Sequence, residues 1–352
     1  MKHVLLSLLL LSNALALGQS NSPSDIVQEL GAKLKENSQL AIAIIQGEDI
    51  QYHGFILQEK GYKKIENKNR IFEIGSITKI FTSMLFAQAI VDQKVKAQHC
   101  LQKFVPFKLK GRPKITLEQL SNHTSGLPRL PENMFLLLSE HLNNPYKFYE
   151  EQLLEQYMTK ELALEHPPAQ QFAYSNLGAG LLGYALGRVY KTPYEQLLEE
   201  LIFKPLQLKD TYTRASQVQK ERLVKGLGVD GKPVPNWDWD VLAPAGCILS
   251  SVEDLSLFAQ AHLKANSPTI QRQQQISFKH NEEISLALGW LILKKEGQEY
   301  YFHNGATGGY TSSMFLDKNK QQAVVTLSNV SGLSLQGAVI DKIALSILQG
   351  LE

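Results

Sequence analysis

Hydrophobic and polar positions divide this chain into three stretches. Near the start, Leu40-Ala41-Ile42-Ala43-Ile44-Ile45 is an unbroken apolar run. After Gly47-Glu48-Asp49 comes a second run, Ile50-Gln51-Tyr52-His53-Gly54-Phe55. The two read as strands of a hairpin. Ahead of them, Ser22-Pro23-Ser24-Asp25 has a capping serine, proline at the first position and acid in the first turn. That pattern opens a helix, expected to run to about Lys35. Residues 80–91 are apolar almost all round and read as a buried helix. From about 90 to 215 the spacing turns helical, with segments near 116–122, 148–163, 177–190 and 193–202. Residues 126–131 form a loop, and residues 226–244, rich in glycine, proline, tryptophan and aspartate, look irregular. Strand character returns at 285–293, 300–303, 312–316 and 323–327, and residues 335–348 close the chain as a helix.

Strands at both ends with helices between predict an α/β (α+β) fold. One mixed, mostly antiparallel sheet is built from the two termini and flanked by helices, and a helical domain is inserted. The expected division is 19–90 with 235–352 for the sheet domain and 91–234 for the helical one. There is no internal repeat.

Composition changes this picture little: 352 residues, 43% hydrophobic and 20% charged, are enough for a large core in one or two domains. The formal charge is +2, with no basic block, so nucleic-acid binding has no electrostatic support. The N-terminus matters more. Met1-Lys2-His3 is a short basic start, and residues 4–11 are an apolar run too short to span a bilayer comfortably. Ala14-Leu15-Ala16 and Ala16-Leu17-Gly18 offer small-x-small cleavage sites. Residues 1–18 therefore read as a secretory signal peptide, cut after Ala16 or Gly18, which predicts a secreted or periplasmic protein with no stable membrane insertion. Cys100 and Cys247 are too widely separated to predict a pair, and the two cysteines and nine histidines make no zinc pattern. No metal or organic cofactor is implied.

The candidate chemistry starts at Gly75-Ser76-Ile77-Thr78-Lys79. Helical spacing puts the Ser76 hydroxyl and the Lys79 amine one turn apart on one face. A lysine in a buried helix is costly unless paired or neutral, and a neutral amine takes a proton from a neighbouring hydroxyl. At a helix N-terminus the free N–H groups and the dipole favour negative charge. Together these describe an activated serine nucleophile. Taken alone, S-x-x-K is a weak signal, and Ser76 reads more readily as a helix N-cap than as a nucleophile.

Two further motifs decide between those readings. Phe172-Ala173-Tyr174-Ser175-Asn176 precedes a glycine-rich helix, and Tyr301-Phe302-His303-Asn304-Gly305-Ala306-Thr307-Gly308-Gly309 lies between strand candidates. In this order, Ser76/Lys79, Tyr174/Asn176 and His303/Asn304/Gly305 resemble the three motifs of the serine penicillin-recognising enzymes: class C β-lactamases, D-Ala-D-Ala carboxypeptidases and related esterases. Leu120-Ser121-Asn122-His123-Thr124-Ser125-Gly126-Leu127-Pro128 and Pro244-Ala245-Gly246 extend the resemblance, which covers roughly residues 24–348.

The resemblance implies that Ser76 attacks a carbonyl carbon. Lys79 and Tyr174 share the proton, the tyrosine pKa being lowered by the ammonium, and Tyr174 returns a proton to the leaving group. Asn176 holds the Lys79 amine and a substrate amide. An edge strand at Gly305-Ala306 runs beside the substrate, and the Ser76 and Ala306 N–H groups form the oxyanion hole. His303, Asn304 and Gly305 bind substrate. The chain departs from class C where His303 and Asn304 stand in place of lysine and threonine. A mostly neutral histidine weakens carboxylate binding, makes it pH-dependent, or leaves it to another residue.

Outside the resemblance, Asn176 reads as an N-cap, His303 as a solvent-satisfied strand residue and His123 as a locally bonded loop residue. Gly178-Ala179-Gly180-Leu181-Leu182-Gly183 matches a dinucleotide fingerprint but follows no clear strand, and the G-x-S-x-G elbow is absent. The expected function is an exported serine hydrolase acting on a β-lactam, D-alanyl peptide or small ester. The rival of another class is a non-catalytic binder of cell-wall fragments.

Overall fold

The computed structural model describes residues 22–295 and 297–351, so the signal-peptide reading of 1–18 lies outside the described residues. Helix α1 (Pro23–Gly31) opens at the expected place. Ser22 Oγ accepts from Asp25 N–H, and the Asp25 side chain reaches back to the Ser22 backbone. It stops at Gly31, short of Lys35, because Tyr62 packs across that point and donates its hydroxyl to the Gly31 carbonyl at 3.1 Å.

The hairpin β1 (Gln39–Gln46) and β2 (Asp49–Gln58) pairs as predicted and continues into a short strand that the sequence did not suggest, β3 (Gly61–Lys64). Three short strands, β4 (Phe72–Glu73), β5 (Thr211–Tyr212) and β6 (Leu249–Ser250), make a small separate sheet. The C-terminal strands are β7 (Phe278–Lys279), β8 (Ile284–Leu286), β9 (Leu291–Lys295), β10 (Gln298–Ala306), β11 (Thr311–Asp317) and β12 (Gln322–Ser328). The main sheet is antiparallel throughout, in the order β3-β2-β1-β12-β11-β10-β9-β8-β7. Pairing of β1 with β12, from Leu40 against Ser328 to Gln46 against Gln322, joins the two ends of the chain.

Both faces of this sheet are covered, which is why β1 reads as an unbroken apolar run and not as an alternation. Leu40, Ile42 and Ile44 pack with α1 and the C-terminal helix, while Ala41, Ala43 and Ile45 face the opposite core. That opposite core holds the buried helix α2 (Thr78–Val91), the glycine-rich α3 (Asn176–Tyr190) and α4 (Val252–Lys264). Phe81 of α2 stacks on Phe258 of α4 with ring centres 4.0 Å apart. The C-terminal helix is α5 (Gly337–Gln349).

The predicted single strand at 285–293 breaks at Gly289, where φ is +74° and a Cβ would lie 2.7 Å from Ser83 Oγ. Conversely, β10 runs well beyond the predicted 300–303 and carries Asn304, Gly305 and Ala306 at its end. Residues 226–244 contain no helix or strand of the main layers, as their composition suggested.

Candidate active site

Ser76 sits in a 3-10 turn, Gly75–Ile77, that leads directly into α2. The turn is pressed onto the end of β10. Gly75 has φ +48°, and a Cβ there would lie 2.6 Å from Ala306 N. A Cβ on Gly305 would lie 1.9 Å from the Ile74 carbonyl oxygen. Ser312 Oγ donates to that same carbonyl at 2.8 Å. Glycine at 75 and 305 is therefore a condition of bringing the Ser76 turn and the strand together.

Lys79, only 1% exposed, has its Nζ 2.9 Å from Ser76 Oγ and donates to the Ala245 carbonyl at 2.6 Å. Burial, reinforced by the nearby Arg129 guanidinium, holds its pKa well below the ordinary lysine value. Tyr174 lies over the same amine, its ring centre 4.8 Å from Lys79 Nζ. Burial pushes the Tyr174 hydroxyl up to about 12, against the opposing pull of Arg129 and Ser76. Its oxygen is buried, and Ser76 stands near enough to favour the ionised form.

The expected proton arrangement is thus corrected. The tyrosine pKa is not lowered by an ammonium. Burial lowers the Lys79 pKa and raises that of Tyr174, the reverse of the expected tyrosine shift.

Asn176 also differs from expectation. It begins α3, but the N-cap is Ser175, whose Oγ accepts from Gly178 N–H at 2.9 Å. Asn176 Nδ2 donates to Tyr146 Oη at 2.9 Å, and its Oδ1 is buried without a partner. The Lys79 amine is held by Ser76 and Ala245 instead. Asn176 Oδ1 remains the unfilled acceptor of the site, available to a substrate N–H.

His303 is 2% exposed and is no solvent-satisfied strand residue. Its Nδ1 is 2.6 Å from the Asn304 carbonyl, and burial together with Lys79 lowers its pKa to about 3. That shift favours the neutral imidazole at this position. Asn304 Nδ2 donates to Asp341 Oδ2 at 2.7 Å, which ties the strand end to α5. His123 bonds far from its own loop: its Nδ1 accepts from Ser175 N–H at 3.2 Å, and its ring centre lies 4.5 Å from that of Tyr174. It holds Tyr174 and Ser175 in place.

These groups meet in a cleft of about 320 Å³ lined by Ser76, Arg129, Tyr174, Asn176 and the Asn304-Gly305-Ala306 edge. β10 pairs with β9 only as far as Phe302 against Leu291, so its last residues present an open edge to the cleft. Opposite stands an aromatic wall in which Tyr146 stacks on Trp239 at 3.9 Å and Trp237 lies 5.4 Å from Tyr146. The wall is anchored by Glu73, whose Oε1 accepts from Trp237 N–H and Asn236 Nδ2, each at 2.8 Å. Burial pushes that carboxyl up to about 7. A larger cleft, about 800 Å³ between Glu195 and Gln217, contains none of the motif residues.

All three motifs converge as the sequence suggested. A family profile for "Beta-lactamase" matches residues 25–346. The chain belongs to the β-lactamase family. That family is one of serine hydrolases working through an acyl-enzyme. Among relatives of this β-lactamase-family chain, a β-lactamase of Pseudomonas fluorescens is 28% identical over 260 residues, 71% of this chain and 68% of that protein. Protein flp of Staphylococcus aureus (strain MW2) is 26% identical over 299 residues, 79% of this chain but only 57% of that longer protein. A crystal structure described as a β-lactamase/D-alanine carboxypeptidase from Pseudomonas syringae superposes with a TM-score of 0.77 at 21% identity. The superposition covers 94% of this chain and all of that one, and it confirms the fold.

Sequence reasoning missed Arg129, Ala245 and Tyr146 as site residues. Ala245 stood inside a stretch that carries the resemblance and Arg129 just after one, but nothing in their spacing marked them as acting on Lys79.

Proposed function

We propose that this chain is an exported, class C-like serine hydrolase that opens an ester or amide carbonyl through an acyl-enzyme on Ser76. The β-lactam ring, D-alanyl peptides and small esters are its candidate substrates. The observation that carries this reading is the 2.9 Å contact between Ser76 Oγ and the buried, proton-poor Lys79 amine. A non-catalytic binder has no use for that pair. The apolar run at residues 4–11 supports export. The relatives named as β-lactamase and as β-lactamase/D-alanine carboxypeptidase support the substrate range.

In this mechanism Ser76 Oγ bonds to the carbonyl carbon while its proton passes to the lone pair of Lys79 Nζ. The carbonyl oxygen gains the negative charge and is held by the Ser76 and Ala306 N–H groups, on segments brought together where Gly75 meets Ala306 and Gly305 meets Ile74. On collapse the bond to the leaving group breaks. Tyr174, still protonated, gives that group its hydrogen and is resupplied from the Lys79 ammonium. Water then attacks the Ser76 ester, giving its proton to the same amine; the bond from Ser76 Oγ to the acyl carbon breaks, Lys79 returns the proton to Ser76 Oγ, and the acid leaves.

The test is intact mass after brief incubation with benzylpenicillin, wild type beside Ser76→Ala. Chromogenic cephalosporin and nitrophenyl ester assays run in parallel. Wild type should gain a mass adduct or turn over at least one of the three, and Ser76→Ala should lose at least about a thousandfold of that rate. Equal behaviour of the two proteins on all three substrates would remove Ser76 as nucleophile.

A further inference from the structure

The cleft beside Ser76 contains a cation that forms no ion pair among the described residues. Arg129 lines it, half-buried, with its guanidinium carbon 5.1 Å from the centre of the Tyr174 ring. Among the described residues its side chain makes no ion pair and no hydrogen bond. The acidic residue of the same cleft, Asp341, is 2% exposed and is engaged by Asn304. The aromatic wall of Tyr146, Trp237 and Trp239 brings no charge.

Placing this guanidinium here is not neutral for the protein, because it makes charging of Lys79 harder. An acid paired with Arg129 would offset that field, and among the described residues no ion pair to it forms. Its five N–H donors, in a planar fork suited to a carboxylate, are left to whatever enters the cleft. The position where a fixed cation would be expected from the third motif holds buried, neutral His303 instead.

Resting on the hydrolase reading above, we propose that Arg129 is the anion-binding residue of this site. It takes a carboxylate carried by the substrate, while the Tyr146, Trp237 and Trp239 wall takes an apolar body. Charge recognition has moved from the third-motif strand to the loop ahead of Tyr174. The preferred substrate is a small anionic ester or amide with an aliphatic or aromatic portion, held between an arginine and an aromatic face.

Two esters that differ in charge test this: mono-4-nitrophenyl glutarate, anionic, and 4-nitrophenyl butyrate, neutral. Each is assayed with wild type, Arg129→Gln, Arg129→Lys and Ser76→Ala. The readout is the ratio of kcat/KM for the anionic over the neutral ester. In Arg129→Gln this ratio should fall on the order of 10- to 100-fold, the size of a charge-assisted hydrogen-bond pair, with most of the change in KM. Arg129→Lys should restore part of it.

An unchanged ratio would overturn the proposal. So would an equal fall on both esters with a displaced acid limb of the pH–rate profile, since Arg129 would then act only through Lys79. Hydrolysis of both esters by Ser76→Ala at the wild-type rate would instead remove the parent reading.

Discussion

Lys79 is buried at a price in stability. Its pKa in the fold is held well below 10.5, mainly by burial, whereas in the unfolded chain the amine is fully hydrated and charged at neutral pH. The unfolded state therefore binds more protons than the folded one at every pH between those two values, and stability rises with pH across that window. The penalty is absent above about 10.5 and grows as pH falls toward the folded value. Lys79→Met keeps the volume and removes the titration. It should abolish turnover yet melt above wild type at pH 7, and the gap should narrow as pH approaches 10. Thermal melts of both proteins from pH 6 to 10 measure this, and a pH-independent gap would mean that Lys79 is charged in the fold. At this scale the sequence made Ser76, Lys79 and Tyr174 legible because each sits in an ordered motif. Proton ownership was not legible, since it depends on burial and on Arg129. Tyr146, which takes up Asn176 Nδ2, lies 30 residues from it with no periodic link.

Among elements, the contact that matters most is between the Ser76 turn and the end of β10. A side chain on Gly305 meets the Ile74 carbonyl oxygen at 1.9 Å, and backbone cannot yield as a side-chain tip can. Gly305→Ala should therefore push the turn away from the strand, moving Ser76 relative to the Ala306 N–H. Displacements near 1 Å in a catalytic arrangement cost about 100-fold in rate, and overpacking of this kind costs about 1–3 kcal/mol. Gly47→Ala is the control, because Gly47 has φ +60° but no atom within 4 Å of a Cβ, so it carries only the backbone strain. Comparable ester hydrolysis by the two variants would show that the turn-to-strand contact does not set the geometry. The sequence could not announce this contact, since both glycines look like ordinary turn or strand glycines until the two segments meet. The elements themselves were readable where their burial was uniform, as in β1 and α2. They were misjudged where a local neighbour intervened, as Tyr62 does at the end of α1 and Ser83 at Gly289.

The two ends of the chain stabilise each other across the whole molecule. Among the described residues, helix α5 places Ile340, Ile343, Leu345, Ile347 and Leu348 at 3% exposure or less, in one cluster with Leu40, Ile42 and Ile44 of β1 and Phe315 and Val324 of the C-terminal strands. Five large aliphatic side chains at about 1.5–3 kcal/mol each amount to roughly 8–15 kcal/mol, as much as the entire net stability of an ordinary domain. The same helix carries Asp341, which holds Asn304 at the edge of the cleft. Removing residues 335–352 leaves Ser76, Lys79, Tyr174 and His303 in the chain, but it strips one face of the sheet that joins β1 to β12. The truncated protein should therefore lose its cooperative thermal transition, followed by near-ultraviolet circular dichroism, and with it all ester hydrolysis. If it kept a cooperative melt and Ser76-dependent activity, the motif-bearing core would be stable without the closing helix, and the strand pairing between the termini would be a secondary feature of the fold.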